Sequence, residues 1–244
     1  MPVSAANRFT EMNDRSEKYA SFVFSHFLDL NEQSVLSALH LDAVLFGGAD
    51  GCERRMARFG DPELCGSDQR FPIQCVRIAP VSLKYAEDLT HRDCLGALMA
   101  LGFERELLGD IVVRKEYMLL FCEEHIASYI CDALHRIRNT AVKCSVTDDI
   151  PEGDLFTTKA MTVQVSSERL DAIIAHVWHF SRNSAQSLFP QGKVFVNGKS
   201  CADQSYIPQP GEIVSVRSAG RFRFEGITGK SAKGKQVITV SLFV

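Results

Sequence analysis

The chain has 244 residues, 45% of them apolar and 23% charged, with a formal net charge of −3. These values fit roughly one to three globular domains and exclude a disordered chain. No run reaches the ~20 apolar residues of a membrane-spanning helix, and Met1 to Lys18 lacks a signal-peptide core, so a cytoplasmic protein is expected.

Residues 14–40 read as two helices. Phe22, Val23 and Phe27 fall on one stripe of the first, and the second follows Asp29 to Asn31 with Val35, Leu36 and Leu39. Ala43 to Phe46 is a short apolar strand stopped by Gly47-Gly48, and Glu53 to Phe59 reads as a further strand. Pro62 to Pro72 has the composition of a loop, and Ile73 to Ile78 that of a strand.

From Val81 a regular order is expected. Val81 to Tyr85 suggests a strand, and Thr90 to Leu101 a helix closed by Gly102. Ile111 to Val113 and Met118 to Cys122 are two strand-like runs across a charged turn. Glu124 to Ile137 is helical, with Ile126, Ile130 and Leu134 at four-residue steps, and Ala141 to Val146 is a last strand. The order β-α-β-β-α-β is that of a ferredoxin-like plait. Asp148 to Leu155 reads as a linker.

The eight cysteines are 9 to 57 residues apart and contain no Cys-x-x-Cys, which argues against a zinc site. Cys75, Cys122 and Cys144 fall in expected strands, where a reduced thiol acts as a small hydrophobe. No cofactor and no metal are expected.

Charge is unevenly spread. Residues 167–244 hold ten Lys/Arg against five Asp/Glu, and residues 1–166 hold seventeen against twenty-five. A net of +5 in one small module is the footprint of a polyanion binder. Leu170, Ile173, Ile174 and Val177 mark an amphipathic helix, and Ser181 is a good N-cap for a second. Asn197-Gly198 predicts a tight hairpin and Pro210-Gly211 another turn, giving two helices followed by a small antiparallel sheet. Arg182 and Gln186 share a helix face, and a helix N-terminus attracts phosphate. Lys193, Lys199, Arg217, Arg221 and Arg223 extend the positive surface.

These residues resemble the S4-type RNA-binding domain, an αL-shaped fold. The resemblance implies an RNA face of Arg169, Ser181, Arg182, Gln186, Lys193 and Lys199, with Asp171 orienting a neighbouring Arg. Such domains read structured RNA through shape and backbone.

The remainder carries Phe46-Gly47-Gly48, Glu53-Arg54-Arg55, the block Leu89-Thr90-His91-Arg92-Asp93-Cys94-Leu95-Gly96, Arg105, and Gly109-Asp110-Ile111. With Ser215 to Phe222, Gly229-Lys230 and Lys233-Gly234, these resemble the YlmH family over nearly the whole chain. The chain departs from the family pattern at Cys94, Pro190 and Ser218-Ala219. The resemblance implies a bacterial protein on the large ribosomal subunit, acting in quality control of stalled, peptidyl-tRNA-bearing complexes.

The expected fold class is α+β: an N-terminal α/β subdomain (1–78), a ferredoxin-like (RRM-like) α-β plait (79–160) and a C-terminal S4-type αL RNA-binding domain (167–244). The expected partners are ribosomal RNA, with tRNA a second candidate, and the large subunit. Neither DNA nor a membrane is expected, and the state expected is a monomer.

His91-Arg92-Asp93 invites a catalytic reading, because pseudouridine synthases with S4-type domains carry a similar block. The sequence lacks that block's intervening Leu and any G-x-G-x-x-G, so a non-enzymatic binder is favoured. Thr90 and Asp93 can form a capping box instead. Arg92 and Arg105 would then face outward, as partners of Asp93 and Glu104 or, with His91, as a second RNA contact. An RNA-modifying enzyme and a cell-division adaptor built on the acidic front remain the alternatives.

Overall fold

A computed structural model describes residues 4–66, 69–151, 155–156, 158–217, 219–231 and 234–243. Ser218, Lys233 and part of the expected linker lie outside them. The chain divides into two compact units, Met1–Phe156 and Thr157–Val244.

The first unit opens with α1 (Ala5–Tyr19), β1 (Val23–Leu28), α2 (Leu30–Ala38), β2 (Ala43–Phe46) and β3 (Arg55–Phe59). Phe22, Val23 and Phe27 therefore belong to no helix: the first helix ends before them. Antiparallel pairing of β1 with β3, Val23 opposite Phe59, overrides a short 3.6-residue match among β-prone side chains. Asp29 caps α2 through a full capping box with Glu32. The loop expected at 62–72 contains one helical turn, α3 (Pro62–Cys65), capped by Asp61.

There follow β4 (Ile73–Pro80), α4 (His91–Ala100), β5 (Leu108–Val113), β6 (Met118–Glu123), α5 (Glu124–Ala133), β7 (Arg136–Ile137) and β8 (Thr140–Thr147). The strand expected at Val81–Tyr85 is absent. Those residues lead into a 3-10 turn (Leu83–Tyr85), and β4 takes the place of the expected strand as the central one, flanked by β6 and β8. The sheet order is β5-β6-β4-β8-β7, with antiparallel pairing throughout. The helix expected to reach Ile137 stops at Ala133 because Ile137 pairs with Thr140 in the β7–β8 hairpin.

Both faces of this sheet are covered. Val76, Ile78 and Leu120 pack with Cys94, Leu98 and Ile130 of the helices. On the other face, Cys75, Val112, Leu119 and Phe121 pack with Phe27 of β1, Met56 of β3 and Leu155. The chain needs glycine here: Gly48 sits at φ +101°, and a Cβ on it would meet the Phe121 ring.

In the second unit, β9 (Thr158–Val165) precedes α6 (Leu170–Val177), α7 (Arg182–Ser187), β10 (Val194–Val196), β11 (Lys199–Ser200), β12 (Ile213–Val216), β13 (Gly220–Lys230) and β14 (Gln236–Phe243). The six strands run in the order β11-β10-β12-β13-β14-β9. The sequence reading missed β9, which pairs with β14 from Thr158–Phe243 to Val165–Gln236. Asn197 and Gly198 both take positive φ in the β10–β11 turn, as an Asn-Gly hairpin requires. Val194, Val214, Phe222 and Val240 face Leu170, Ile173, Ile174 and Ala185 in the core.

All eight cysteines are free. Burial pushes Cys52, Cys75, Cys94, Cys122 and Cys144 up to about 12, so none of these thiols is a thiolate at neutral pH. No helix among the described residues is long and apolar enough to cross a membrane.

Candidate nucleic-acid interface

The second unit is organised around one buried carboxylate. Asp171, in the first turn of α6, is 1% exposed. Its Oδ1 accepts from Arg169 Nε at 3.0 Å and from the Ala172 amide at 2.9 Å. Its Oδ2 accepts from Arg169 Nη2 at 2.9 Å and from Gln186 Nε2 of α7 at 2.9 Å. Burial would push this carboxyl up, but the bonds from Arg169 and Gln186 outweigh it and hold the group below its ordinary range. The same bond raises Arg169. Asp171 thus orients Arg169 and ties α6 to α7.

A second carboxylate braces the hairpins. Glu212 accepts from Tyr206 Oη, at 2.9 Å to each oxygen, from the Gln209 amide at 2.8 Å and from Asn197 Nδ2 at 3.2 Å. Burial, then this bond to Glu212, pushes Tyr206 up to about 12. Sequence reasoning overlooked both residues; the Tyr-x-x-Gln-x-x-Glu spacing betrays the pair only once the turn at Pro210-Gly211 is known.

The candidate cations then sort into two groups. Arg169 is paired with Asp171, and Arg223 with Glu225 at 2.8 Å. Arg221 lies over the Phe243 ring at 4.6 Å. By contrast, Arg182 and Lys199 are exposed and Lys193 half-buried, and none has a carboxylate partner among the described residues. Exposed Arg217 likewise has only the Phe195 ring, at 4.9 Å. Arg217 and Lys193 adjoin, since the Arg217 amide donates to the Lys193 carbonyl at 2.9 Å. Ser181 spends its hydroxyl on capping α7, accepting from the Ser184 amide at 3.1 Å. Among the described residues, these four candidate cations thus meet no carboxylate and can face external anions.

The front block has a different character. Thr90 Oγ1 accepts from the Asp93 amide at 3.3 Å, and Asp93 Oδ2 accepts from the Thr90 amide at 2.9 Å and its hydroxyl at 2.6 Å. The Thr90 hydroxyl, then its amide, holds Asp93 low. The arginine beside Asp93 is Arg138, at 3.8 Å. His91 and Arg92 are exposed at the head of α4.

Arg105 does not face outward to Glu104. Its Nη1 donates to the carbonyls of Leu108, at 2.6 Å, and Gly109, at 3.1 Å, and burial lowers its pKa to about 10. Beside it Arg54 donates to Leu108 at 2.9 Å and Phe27 at 2.8 Å, while Asp110 accepts the Glu53 and Arg54 amides. Arg54 also donates to the Arg105 carbonyl at 3.3 Å, so the motif residues Arg54, Arg105 and Asp110 all spend their side chains on backbone groups of this one corner. Among the described residues, no group of three or more His, Cys, Asp or Glu is placed to hold a metal ion.

A family model described as "Putative RNA-binding domain in YlmH" matches residues 67–149. The chain is 33% identical over 224 residues to the Ribosome-associated protein quality control protein P2 of Bacillus subtilis (strain 168), spanning 87% of this chain and 84% of that one. Among solved structures it is similar to "Cell division protein ylmH from Streptococcus pneumoniae". That likeness has a TM-score of 0.48 and 22% identity, over 59% of this chain and 88% of the other.

Proposed function

Because the chain belongs to the YlmH family, we propose that it is a non-enzymatic RNA-binding protein of the cytoplasm. It holds structured RNA, ribosomal RNA or a tRNA, on the large ribosomal subunit and acts in quality control of stalled, peptidyl-tRNA-bearing complexes. The observation that carries this reading is the set Arg182, Lys193, Lys199 and Arg217, cations of the +5 module without carboxylate partners among the described residues. An unpaired surface cation gains most from a phosphate, because no internal ion pair has to be broken first. Arg169 joins the set as a cation fixed in direction by Asp171. Arg221 and Arg223 are weaker contributors, the latter shared with Glu225.

The module's two helices and the β10–β12 sheet support reading it as the S4-type αL domain. The antiparallel order β5-β6-β4-β8 supports reading the first unit's larger sheet as a ferredoxin-like plait. The second contact, at the head of α4, rests on His91 and Arg92, since the Arg105 guanidinium is occupied. The capping role of Thr90 and Asp93 favours a binder over an enzyme in the His-Arg-Asp block.

The test is co-sedimentation of the full chain with isolated large subunits, together with cross-link mapping of the bound RNA. Binding to large-subunit RNA that weakens linearly with log salt is the expected result. Salt-independent binding would overturn the reading. Loss of one rRNA modification in a deletion strain would establish an enzyme in its place.

A further inference from the structure

We infer that segment 81–88 of the first unit and the cavity beside it form a protein-docking surface. It takes a basic segment of a partner protein, anchored by one large apolar side chain. This surface is independent of the RNA reading above.

Val81, Leu83 and Tyr85 alternate along the chain as in a half-buried strand, yet the segment joins no sheet. These large apolar side chains are 68%, 55% and 76% exposed. The segment that carries them is held at both ends. The Val81 amide donates to the Ala141 carbonyl at 2.9 Å, and the Glu87 amide donates to the Thr140 hydroxyl at 3.0 Å. Asn139 Nδ2 and the Arg138 guanidinium reach the Glu87 carboxylate, at 2.9 and 3.3 Å. Both ends are thus pinned to the start of β8, with the apolar side chains held out between them. Single exposed apolar residues are ordinary, but three on one pinned segment mark a contact surface. The adjoining cavity has about 450 Å³, within the range of preformed binding pockets. Ile78, Met118 and Val142 line it and are buried, so its floor is the apolar core itself. Leu83 and Val113, both exposed, stand at its mouth. Such a floor suits the large apolar side chain that anchors an interface.

The charges around the cavity select the occupant. Glu87, Asp88 and Glu116 line it against Arg114 and Lys115. Arg114 is withdrawn, because its Nη2 donates to the Leu155 carbonyl at 2.8 Å, just as Glu87 is taken up by Arg138 and Asn139. Asp88 and Glu116 are exposed and have no ion-pair partner among the described residues. The lining therefore offers two open carboxylates against the ammonium of Lys115. Lys84, outside the cavity, lies over the Tyr85 ring at 5.4 Å. The rest of the unit has the same sign, since residues 1–166 carry a net −8. That field repels a phosphate backbone and an anionic lipid surface alike. A protein segment with Lys or Arg beside a Leu, Phe or Met complements both the apolar floor and the carboxylates. Because the segment is already pinned, little ordering opposes binding.

The test uses the full chain and three short labelled peptides, of alternating lysine and leucine, lysine and serine, and glutamate and leucine. The lysine–leucine peptide should bind, and the other two should bind roughly tenfold more weakly or worse. Leu83→Ser combined with Tyr85→Ser, at exposed positions outside the core, should weaken the lysine–leucine peptide roughly tenfold or more. The lysine–serine peptide should not respond to that change. Asp88→Lys combined with Glu116→Lys should weaken the lysine–leucine peptide about fivefold and strengthen the glutamate–leucine one. A labelled RNA hairpin should bind the Leu83 and Tyr85 variant as it binds the unaltered chain. Arg182→Ala should weaken the hairpin and leave the peptide alone, so failure of the RNA reading and failure of this one are distinguishable. The surface is overturned if the unaltered chain binds the lysine–leucine and lysine–serine peptides equally, or if the Leu83 and Tyr85 variant binds the former unchanged. Loss of the hairpin in that variant would also overturn it, making the segment an RNA contact.

Discussion

Arg169 and Asp171 form a two-point ion pair across the first turn of α6, with both N–O distances close to 3 Å and the carboxylate almost wholly buried. The pair joins stability to recognition, because the same carboxylate holds Gln186 of α7. Removing it leaves Arg169 half-buried and undirected. Asp171→Ala is expected to destabilise the second unit by about 2–4 kcal/mol. Urea unfolding followed by Trp178 fluorescence checks this, since Trp178 is the sole tryptophan and packs on Phe222 of that unit. The pH dependence has a definite sign. Asp171 is depressed in the folded state, so its stabilisation is present above the ordinary carboxylate range, near ~3.9, and is lost as pH falls toward the folded value. Asp171→Asn should therefore flatten the acid limb of the stability curve below about pH 4. An unaltered limb would refute the assignment.

Arg182 and Arg223 carry the same charge in the same module but should not matter equally. Arg182 is exposed with no carboxylate partner among the described residues, whereas Arg223 donates to Glu225. Arg182→Ala should weaken structured RNA of every sequence alike and reduce the slope of log affinity against log salt by about 1. Arg223→Ala should change the slope by much less. Equal slopes for the two variants would show that pairing with Glu225 does not withdraw Arg223 from the RNA.

Arg105 belongs to the fold, and its substitution should separate stability from binding. Its guanidinium satisfies the Leu108 and Gly109 carbonyls next to Arg54. Arg105→Ala is expected to lower the stability of the first unit by roughly 2–3 kcal/mol, the cost of orphaning buried acceptors. RNA affinity per folded molecule should stay unchanged. Thermal melting and anisotropy titration on one preparation test both halves.

These contrasts show which features were legible in the sequence. The cap at Thr90 and Asp93, the Asn197-Gly198 turn and the apolar stripe of α6 rest on contacts a few residues apart, so local pattern suffices. The β1 segment carries a helix-like apolar stripe, and only its pairing with Arg55–Phe59, roughly thirty residues on, makes it a strand. The β9 strand leaves little local trace, because its partner β14 lies at the other end of the unit. Positive charge in the last third was countable, but which cations stay free depends on which carboxylate each side chain reaches. Glu225 for Arg223 and the Leu108 carbonyl for Arg105 could not be deduced from spacing alone.

The Gly47-Gly48 pair illustrates a motif whose reason is steric. A Cβ on Gly48 would collide with Cδ1 of Phe121, and one on Gly47 would lie 2.6 Å from the Arg54 carbonyl oxygen. Phe121 is fully buried in the layer shared by the two sheets and cannot swing aside. Gly48 also holds φ +101°, a backbone region that L side chains rarely adopt. Clash and strain add at one position, so Gly48→Ala should cost about 3 kcal/mol or more. Gly102→Ala supplies the control: it too has positive φ, at +89°, but nothing lies within 4 Å of its Cβ. It should lose only about 1 kcal/mol, the strain alone. Comparing the two melting temperatures isolates the packing contribution, and equal losses would mean that Phe121 yields.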